Sequence, residues 1–235
     1  MLLSIIIPAY NEERRIGETL ARYWDFFQKE SVEFCVIVNG SRDNTIGIAR
    51  AFEAAHPGKV MVMEIQEKIG KGGAVHSGFL KARGDYIGFV DADGATDPKE
   101  FKRVVEAAYN YDGAIASRWK RGSVVMNRSW YRTIASWGFR LVVKILFWLP
   151  YADTQCGAKV FNRRLVDQLI PQLHVHNMAF DVELLHRARR QGFSVIEVPT
   201  RWTDKSGSTL VGSPAQFALS AIRMFITLLS IRFRS

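Results

Sequence analysis

Cysteine is scarce in this chain, with only Cys35 and Cys156 among 235 residues. Two thiols exclude a disulfide framework, and with Cys35 inside an apolar run they point to a reducing, cytosolic setting. Long hydrophobic runs are missing as well. No uninterrupted apolar stretch reaches the roughly 18 to 20 residues that span a bilayer. Met1 leads straight into an apolar strand, 3–8, and nothing there resembles a signal peptide. Any membrane association is therefore expected to be peripheral, on the cytoplasmic side. Internal repeats and low-complexity segments are absent, and the length allows one good-sized core. The histidines offer no metal cluster: His174 and His176 stand two apart without an adjacent carboxylate or cysteine.

One absence is local. From 113 to 152 there is no Asp or Glu, while Arg118, Lys120, Arg121, Arg128, Arg132, Arg140 and Lys144 fall there with four of the six tryptophans. The net charge of +9 implies an anionic partner: nucleic acid, a phosphorylated substrate or an acidic membrane. Cations interleaved with tryptophan suit a helix lying in a membrane interface, and equally a core helix with a solvated basic face.

What is present reads as alternating strands and helices. Strands are expected at 3–8, 34–38, 60–65, 86–90 and 114–117, with helices at 12–29, 44–55, 73–81 and 98–109 between them. Short Gly, Asn and Asp connections between the two periods argue for βαβ units and a mainly parallel sheet. Asp97-Pro98 supplies an N-cap and a proline at N1 for the last of these helices. Further on, the pattern gives a helix at 128–149, a loop and strand at 153–161, a helix at 181–191 and a strand at 195–202. From Pro214 a narrow polar stripe (Gln216, Ser220, Arg223, Thr227, Ser230, Arg234) leaves the rest of a terminal helix apolar. This divides the chain into an α/β domain, 1–212, containing the amphipathic helix 128–149, and a C-terminal amphipathic helix, 213–235. The last is expected at a lipid interface in preference to the core or an oligomer contact.

The segment Val90-Asp91-Ala92-Asp93-Gly94 carries the most chemistry. Two carboxylates one residue apart follow a buried strand, and in open α/β sheets ligands gather beyond the carboxyl ends of strands. Hard oxygen ligands suit Mg²⁺ or Mn²⁺, which keep waters and share substrate phosphates, so one or two protein carboxylates suffice. An Asp-Gly turn would look the same in isolation.

Other polar clusters recur at strand ends: Pro8-Ala9-Tyr10-Asn11-Glu12-Glu13, then Asn39-Gly40-Ser41-Arg42-Asp43-Asn44, then Lys68-Ile69-Gly70-Lys71-Gly72-Gly73. In order and spacing this series resembles the inverting, GT-A-fold family 2 glycosyltransferases. The motifs Asp91-Ala92-Asp93-Gly94-Ala95-Thr96, Arg128-Ser129-Trp130-Tyr131-Arg132, Asp153-Thr154-Gln155-Cys156-Gly157-Ala158-Lys159, Ala179-Phe180-Asp181-Val182-Glu183 and Trp202-Thr203-Asp204 with Gly207-Ser208 are similar to those of the dolichyl-phosphate β-glucosyltransferases. The N-terminal membrane anchor usual in that group is not expected here.

The resemblance implies a polyprenyl-phosphate hexosyltransferase using UDP-glucose or GDP-mannose. It assigns the donor nucleotide to Pro8, Tyr10, Glu12, Asn39, Asp43, Lys71, Asp91 and Ala92, and the metal to Asp93 with Asp91. Asn39 stands where the family has Asp. An amide offers one donor and one acceptor, which suits the uracil edge; the alternative is that Asn39 only tolerates a left-handed Asn-Gly turn. Glycines around Lys71 would let it approach phosphate or ribose closely; the alternative is a plain helix start.

A polyprenyl phosphate joins an anionic head to a hydrocarbon tail, so Arg118, Arg128 and Arg132, with Ser208, are the expected phosphate ligands. Asp181 and Glu183 join Asp93 as catalytic candidates. A sugar-hydroxyl acceptor would need one of them as base, whereas a phosphate, whose second pKa is about 6, is already largely dianionic and leaves them to orient groups. Two rivals stand beside this reading: the same fold with a hydroxyl acceptor, and a basic nucleic-acid-binding protein, which an acidic nucleotide pocket does not suit. No nucleic-acid partner is therefore expected, and the C-terminal helix leaves an oligomer contact open. A sugar nucleotidyltransferase would open on a glycine-rich loop, which Pro8-Ala9-Tyr10-Asn11-Glu12 is not.

Overall fold

A computed structural model describes residues 1–127, 130–204 and 214–234, the side chains of Tyr131, Arg132, Ala135, 214–221 and Arg234 excepted. The early strands β1 (Leu3–Ala9), β2 (Val32–Asn39), β3 (Val60–Ile65) and β4 (Tyr86–Val90) pair in parallel, in the spatial order β3-β2-β1-β4. Helices α1 (Ile16–Phe27), α2 (Thr45–Ala55), α3 (Gly70–Lys81) and α4 (Pro98–Ala108) make the crossovers. The sheet continues through β7 (Ala158–Asn162), β5 (Gly113–Ser117) and β8 (Val195–Pro199), and only β7 runs antiparallel to its neighbours. The mainly parallel α/β sheet read from the sequence is therefore what the chain forms.

Strand side chains alternate between two apolar layers, as the period of a strand demands. Ile6, Cys35 and Ile37 face one core with α3, α6 (Arg163–Leu169) and α7 (Phe180–Arg190). Ile5, Ile7, Phe34, Val36 and Val38 face the other with α1, α2 and α4. A second sheet of two strands, β6 (Val124–Met126) and β9 (Arg201–Thr203), lies apart. The single strand expected at 195–202 thus divides at Pro199-Thr200. Proline cannot donate to a ladder, and beyond it the chain changes partner from β5 to β6.

Helix α1 starts four residues later than the periodicity of 12–29 suggests. Asn11 adopts a left-handed conformation (φ 52°), and a turn through Glu12–Arg15 intervenes. Helix α3 begins earlier than expected, at Gly70, which brings Lys71 into its first turn.

The C-terminal helix α8 (Pro214–Arg234) packs on α5 (Trp130–Phe147). Leu228 and Ile231 are buried in the same core as Val143 and Phe147, while Ile222, Phe225, Ile226 and Phe233 are exposed. So α8 is in part a core helix and keeps an exposed apolar side. Among the described residues no helix is long and apolar enough to cross a membrane.

Candidate active site

The strand order reverses direction at β1 and β4, and the crevice at such a switch point is where open α/β sheets bind ligands. The loops after β1, β2 and β4 meet there. They are held by specific bonds: Asn11 N–H donates to Ser41 Oγ (3.0 Å), Arg42 N–H to Asn11 Oδ1 (2.8 Å) and Glu12 N–H to Thr45 Oγ1 (2.7 Å). Asp43, expected at the nucleoside, commits one carboxylate oxygen to Glu13 N–H and the other to Thr45. Burial works against the Asp43 carboxylate, but these hydrogen bonds outweigh it and hold its pKa below the ordinary value. In this structure Asp43 shapes the loop.

Asn39 ends β2, and the left-handed residue is Gly40 (φ 59°), so the turn does not explain the asparagine. Its Nδ2 donates to Ala9 O (3.1 Å), while its buried Oδ1 has no hydrogen-bond partner among the described residues. What it presents is an acceptor. Tyr10, beside Pro8, lies under the Lys68 ammonium, 3.9 Å from the ring centroid. Glu12 is clamped by Arg15 through two bonds of 2.7 Å. Burial raises the Glu12 pKa against the opposing effect of Arg15, with Asp93 and Asp91 adding to the rise.

Asp91 and Asp93 stand on the 91–97 turn, which neighbouring elements fix. Thr19 Oγ1 donates to Ala92 O (2.9 Å), Tyr23 OH to Thr96 O (3.1 Å) and Thr203 N–H to Ala95 O (3.2 Å). Asp97 caps α4 through Lys99 N–H (2.9 Å), as its place before Pro98 predicts. Asp91 Oδ1 pairs with Lys71 Nζ at 2.6 Å. Burial disfavours the Lys71 cation, but Asp91 and then Asp181 outweigh it, so its pKa is raised and it remains charged. Asp93 accepts from Ala95 N–H (2.9 Å) through Oδ1. Burial first, and the neighbouring Asp91 second, raise its carboxyl above the ordinary range.

Two carboxylates crowded in this way suit a hard divalent cation. Among the described residues no cluster of three or more His, Cys, Asp or Glu makes a closed ligand set, so the pair fits an ion that completes its shell with phosphate and water. A cleft of about 600 Å³ opens beyond the same turn, between Gly94, Asp97, Met126 and Thr203, but it contains none of Glu12, Asn39, Lys71 or Asp91.

The glycines around Lys71 have a packing task. A Cβ on Gly70 would lie 2.5 Å from His176 O, and one on Gly72 would lie 2.5 Å from Phe180 Cβ. They admit the 174–180 segment against α3. Glu183 fixes that segment, its Oε2 accepting from His174 N–H (2.9 Å) and Val175 N–H (2.8 Å) and its Oε1 from Arg187. With both oxygens engaged and the side chain buried, Glu183 orients a loop in this structure. Asp181 is 1% exposed and paired at 2.8 Å with Lys159, which is 0% exposed. Enclosed in this way, it is an ion-paired strut that also acts electrostatically on Lys71 in this structure.

Arg118, at the end of β5, makes a bidentate pair with Asp153 (2.7 and 3.0 Å) and also donates its backbone N–H to it (3.0 Å). Burial opposes the Arg118 cation, and Asp153 more than compensates. Arg118 also lies 5.3 Å from the Trp202 ring centroid. Arg128, Ser208 and the side chain of Arg132 lie outside the described residues.

Residues not singled out individually from the sequence complete the site. Asp153 pins Arg118; Gly157 O accepts from Asp91 N–H (3.1 Å). A Cβ on Gly157 would stand 1.7 Å from Asp91 Oδ2, so only glycine leaves room for that carboxylate. The signal was present in the Asp153 to Lys159 motif, but its partners lie on other strands.

Residues 4–170 match the family model described as glycosyl transferase family 2. A dolichyl-phosphate beta-glucosyltransferase of Drosophila melanogaster is 39% identical over 224 residues, 88% of this chain and 69% of that protein. A namesake in Dictyostelium discoideum is 34% identical over 99% of this chain and 74% of its own length. Among solved structures, glucosyl-3-phosphoglycerate synthase of Mycobacterium tuberculosis, bound to Mn²⁺, UDP and phosphoglyceric acid, superposes with a TM-score of 0.70 at 17% identity, covering 98% of this chain and 78% of that one. A mannosyltransferase of Pyrobaculum calidifontis with GDP-Man and Mn²⁺ gives 0.70 at 17% identity, covering 99% and 64%. The sheet and its flanking helices are thus those of the GT-A fold, and with the family model spanning most of the chain, the protein belongs to glycosyl transferase family 2 and is a glycosyltransferase.

Proposed function

We propose that this enzyme transfers glucose from UDP-glucose to a polyprenyl phosphate such as dolichyl phosphate, inverting the anomeric configuration. The observation that carries this reading is a donor-type crevice set beside a cationic helix striped with tryptophan. Asn39 Oδ1, buried and without a hydrogen-bond partner among the described residues, suits the N3–H of uracil, and a neutral amide in place of the family's carboxylate is the weaker match for guanine's paired N–H donors. Glu12 lies where ribose hydroxyls would be met, and Lys71, fixed by Asp91, meets the diphosphate. Asp93 with Asp91 would hold Mg²⁺ or Mn²⁺, which when bound neutralises charge on the departing diphosphate. The relatives named for dolichyl-phosphate glucosylation support the acceptor class.

On the acceptor side, Arg118 keeps its guanidinium at the end of β5, and Arg140 lies 5.6 Å from the Trp119 ring centroid, linking α5 to the segment that follows. Along α5, Trp130, Ile134, Trp137, Leu141 and Ile145 are exposed at helical spacing, with Trp148 (78% exposed) continuing the stripe. On α8, which packs on α5, Ile222, Phe225, Ile226 and Phe233 are exposed as well. An apolar, indole-rich surface in a segment without acidic residues matches an anionic lipid surface, where a polyprenyl tail is dissolved. The phosphate oxygen then attacks the anomeric carbon opposite the diphosphate, and a dianionic phosphate needs no base, which accords with the engaged states of Asp181 and Glu183.

The test is incubation with Mn²⁺, dolichyl phosphate and labelled UDP-glucose or GDP-mannose, followed by extraction. Label from UDP-glucose in the organic phase is the expected result. No lipid-linked sugar from either donor would overturn the proposal.

A further inference from the structure

Six buried side-chain polar atoms are without a hydrogen-bond partner among the described residues. Two are the ring nitrogens of His186, and a third, Asp181 Oδ1, is ion-paired with Lys159. The other three, Asn39 Oδ1, Arg15 Nη1 and Gln155 Nε2, all belong to the crevice loops. Asn39 marks the base end. Arg15 holds Glu12 and lies within electrostatic reach of Asp93. Gln155 lies on a different wall.

That wall is the segment 153–157. At one end Asp153 binds Arg118 (2.7 Å), and at the other Gly157 accepts from Asp91 N–H and gives its carboxylate space. Gln155 sits between them, its backbone N–H donated to Asp153 Oδ1 (3.0 Å). In the donor reading above, on which this inference rests, Asp91 marks the diphosphate and Arg118 the acceptor phosphate. The group lying between a diphosphate and an attacking phosphate is the transferred sugar. A buried amide N–H without a partner carries a desolvation cost that a ligand oxygen would remove.

We propose that Gln155 is a specificity-determining residue for the transferred hexose, its Nε2 donating to one sugar hydroxyl. A neutral amide can recognise a hydroxyl oxygen without disturbing the Lys71–Asp91 and Arg118–Asp153 ion pairs on either side. Sites built to bond a substrate hydroxyl reject analogues that lack it.

The test is calorimetric titration of the full chain with Mn²⁺ present, using UDP and UDP-glucose, on wild type and Gln155→Met, which keeps length and removes the donor. UDP affinity should stay within about twofold, while UDP-glucose should bind about 3- to 10-fold more weakly. A second measurement does not depend on the variant. Wild type should lose a similar factor with one of the monodeoxy UDP-glucoses, and Gln155→Met should no longer distinguish that analogue. Equal weakening toward UDP and UDP-glucose, no weakening of either, or a wild type indifferent to every deoxy position would overturn the assignment. Failure of wild type to bind UDP at all would instead overturn the donor reading beneath it.

Discussion

The contact between Gly157 and Asp91 makes a sharp prediction. Replacing Gly157 with alanine puts a Cβ 1.7 Å from Asp91 Oδ2, whereas real Cβ contacts essentially never fall below 3.0 Å, so the carboxylate must retreat by about 1.3 Å. Gly157 is not among the glycines with positive φ, so alanine carries no backbone penalty there. Movement of that size breaks the 2.6 Å pair with Lys71 and shifts one wall of the proposed metal and diphosphate pocket. A displacement of about 1 Å in an oriented site costs about 100-fold in rate, equivalent to about 2.7 kcal/mol of activation free energy. Folding should suffer far less. The Lys71–Asp91 pair is partly solvated, and such pairs contribute about 1 kcal/mol or less, which in a domain of this size moves Tm by about 2–4 °C. The assay is kcat/KM for label transfer from UDP-glucose to dolichyl phosphate, with circular dichroism melting in parallel. Gly138→Ala is the control, because nothing lies within 4 Å of the added carbon. A folded Gly157→Ala enzyme within about threefold of wild type would refute the reasoning.

Asp181→Ala should strand the buried Lys159 ammonium and lower stability by about 3–5 kcal/mol in urea unfolding, while Lys159→Met combined with Asp181→Leu should recover most of it. A loss of activity with unchanged stability would instead restore Asp181 as a catalytic group. Burial, then the surrounding Arg190 and Arg232, push the His186 pKa down to about 4 from an ordinary 6.5. The unfolded chain therefore takes up a proton before the folded one does, and this contribution to stability is full above pH 6.5 and lost as pH falls toward 4. Tm measured across that interval should decline less steeply for His186→Leu, and identical slopes would count against the assignment. Finally, Trp137→Ser with Trp148→Ser should weaken co-sedimentation with vesicles containing anionic lipid; undiminished binding would remove α5 from the membrane face.

Local chemistry settled much of this protein in advance. Apolar strand runs, Asp97-Pro98 and the Asp91-Ala92-Asp93 pair each owe their form to neighbours within a few residues, so the parallel sheet and the position of the carboxylates could be read directly. Helix α6 was missed although Asn162 caps it through Leu165 N–H (2.8 Å), because its seven residues are too few to display a helical period. The division of 195–202 into β8 and β9 was missed because the choice of strand partner is not local.

The sequence by itself determined where the reactive groups stand along the chain and which family's order they follow. Tertiary structure alone decided which of them are free to act. Asp43, Asp181 and Glu183 look as chemically capable as Asp93 in sequence, yet hydrogen bonds and ion pairs occupy them in this structure. Asn39 and Gln155 each keep a buried polar atom unmatched. The physical reason is that a side chain's availability depends on where its partners lie in space, and those partners come from other parts of the fold: Lys159 for Asp181, Ala9 for Asn39, Gly157 for Asp91.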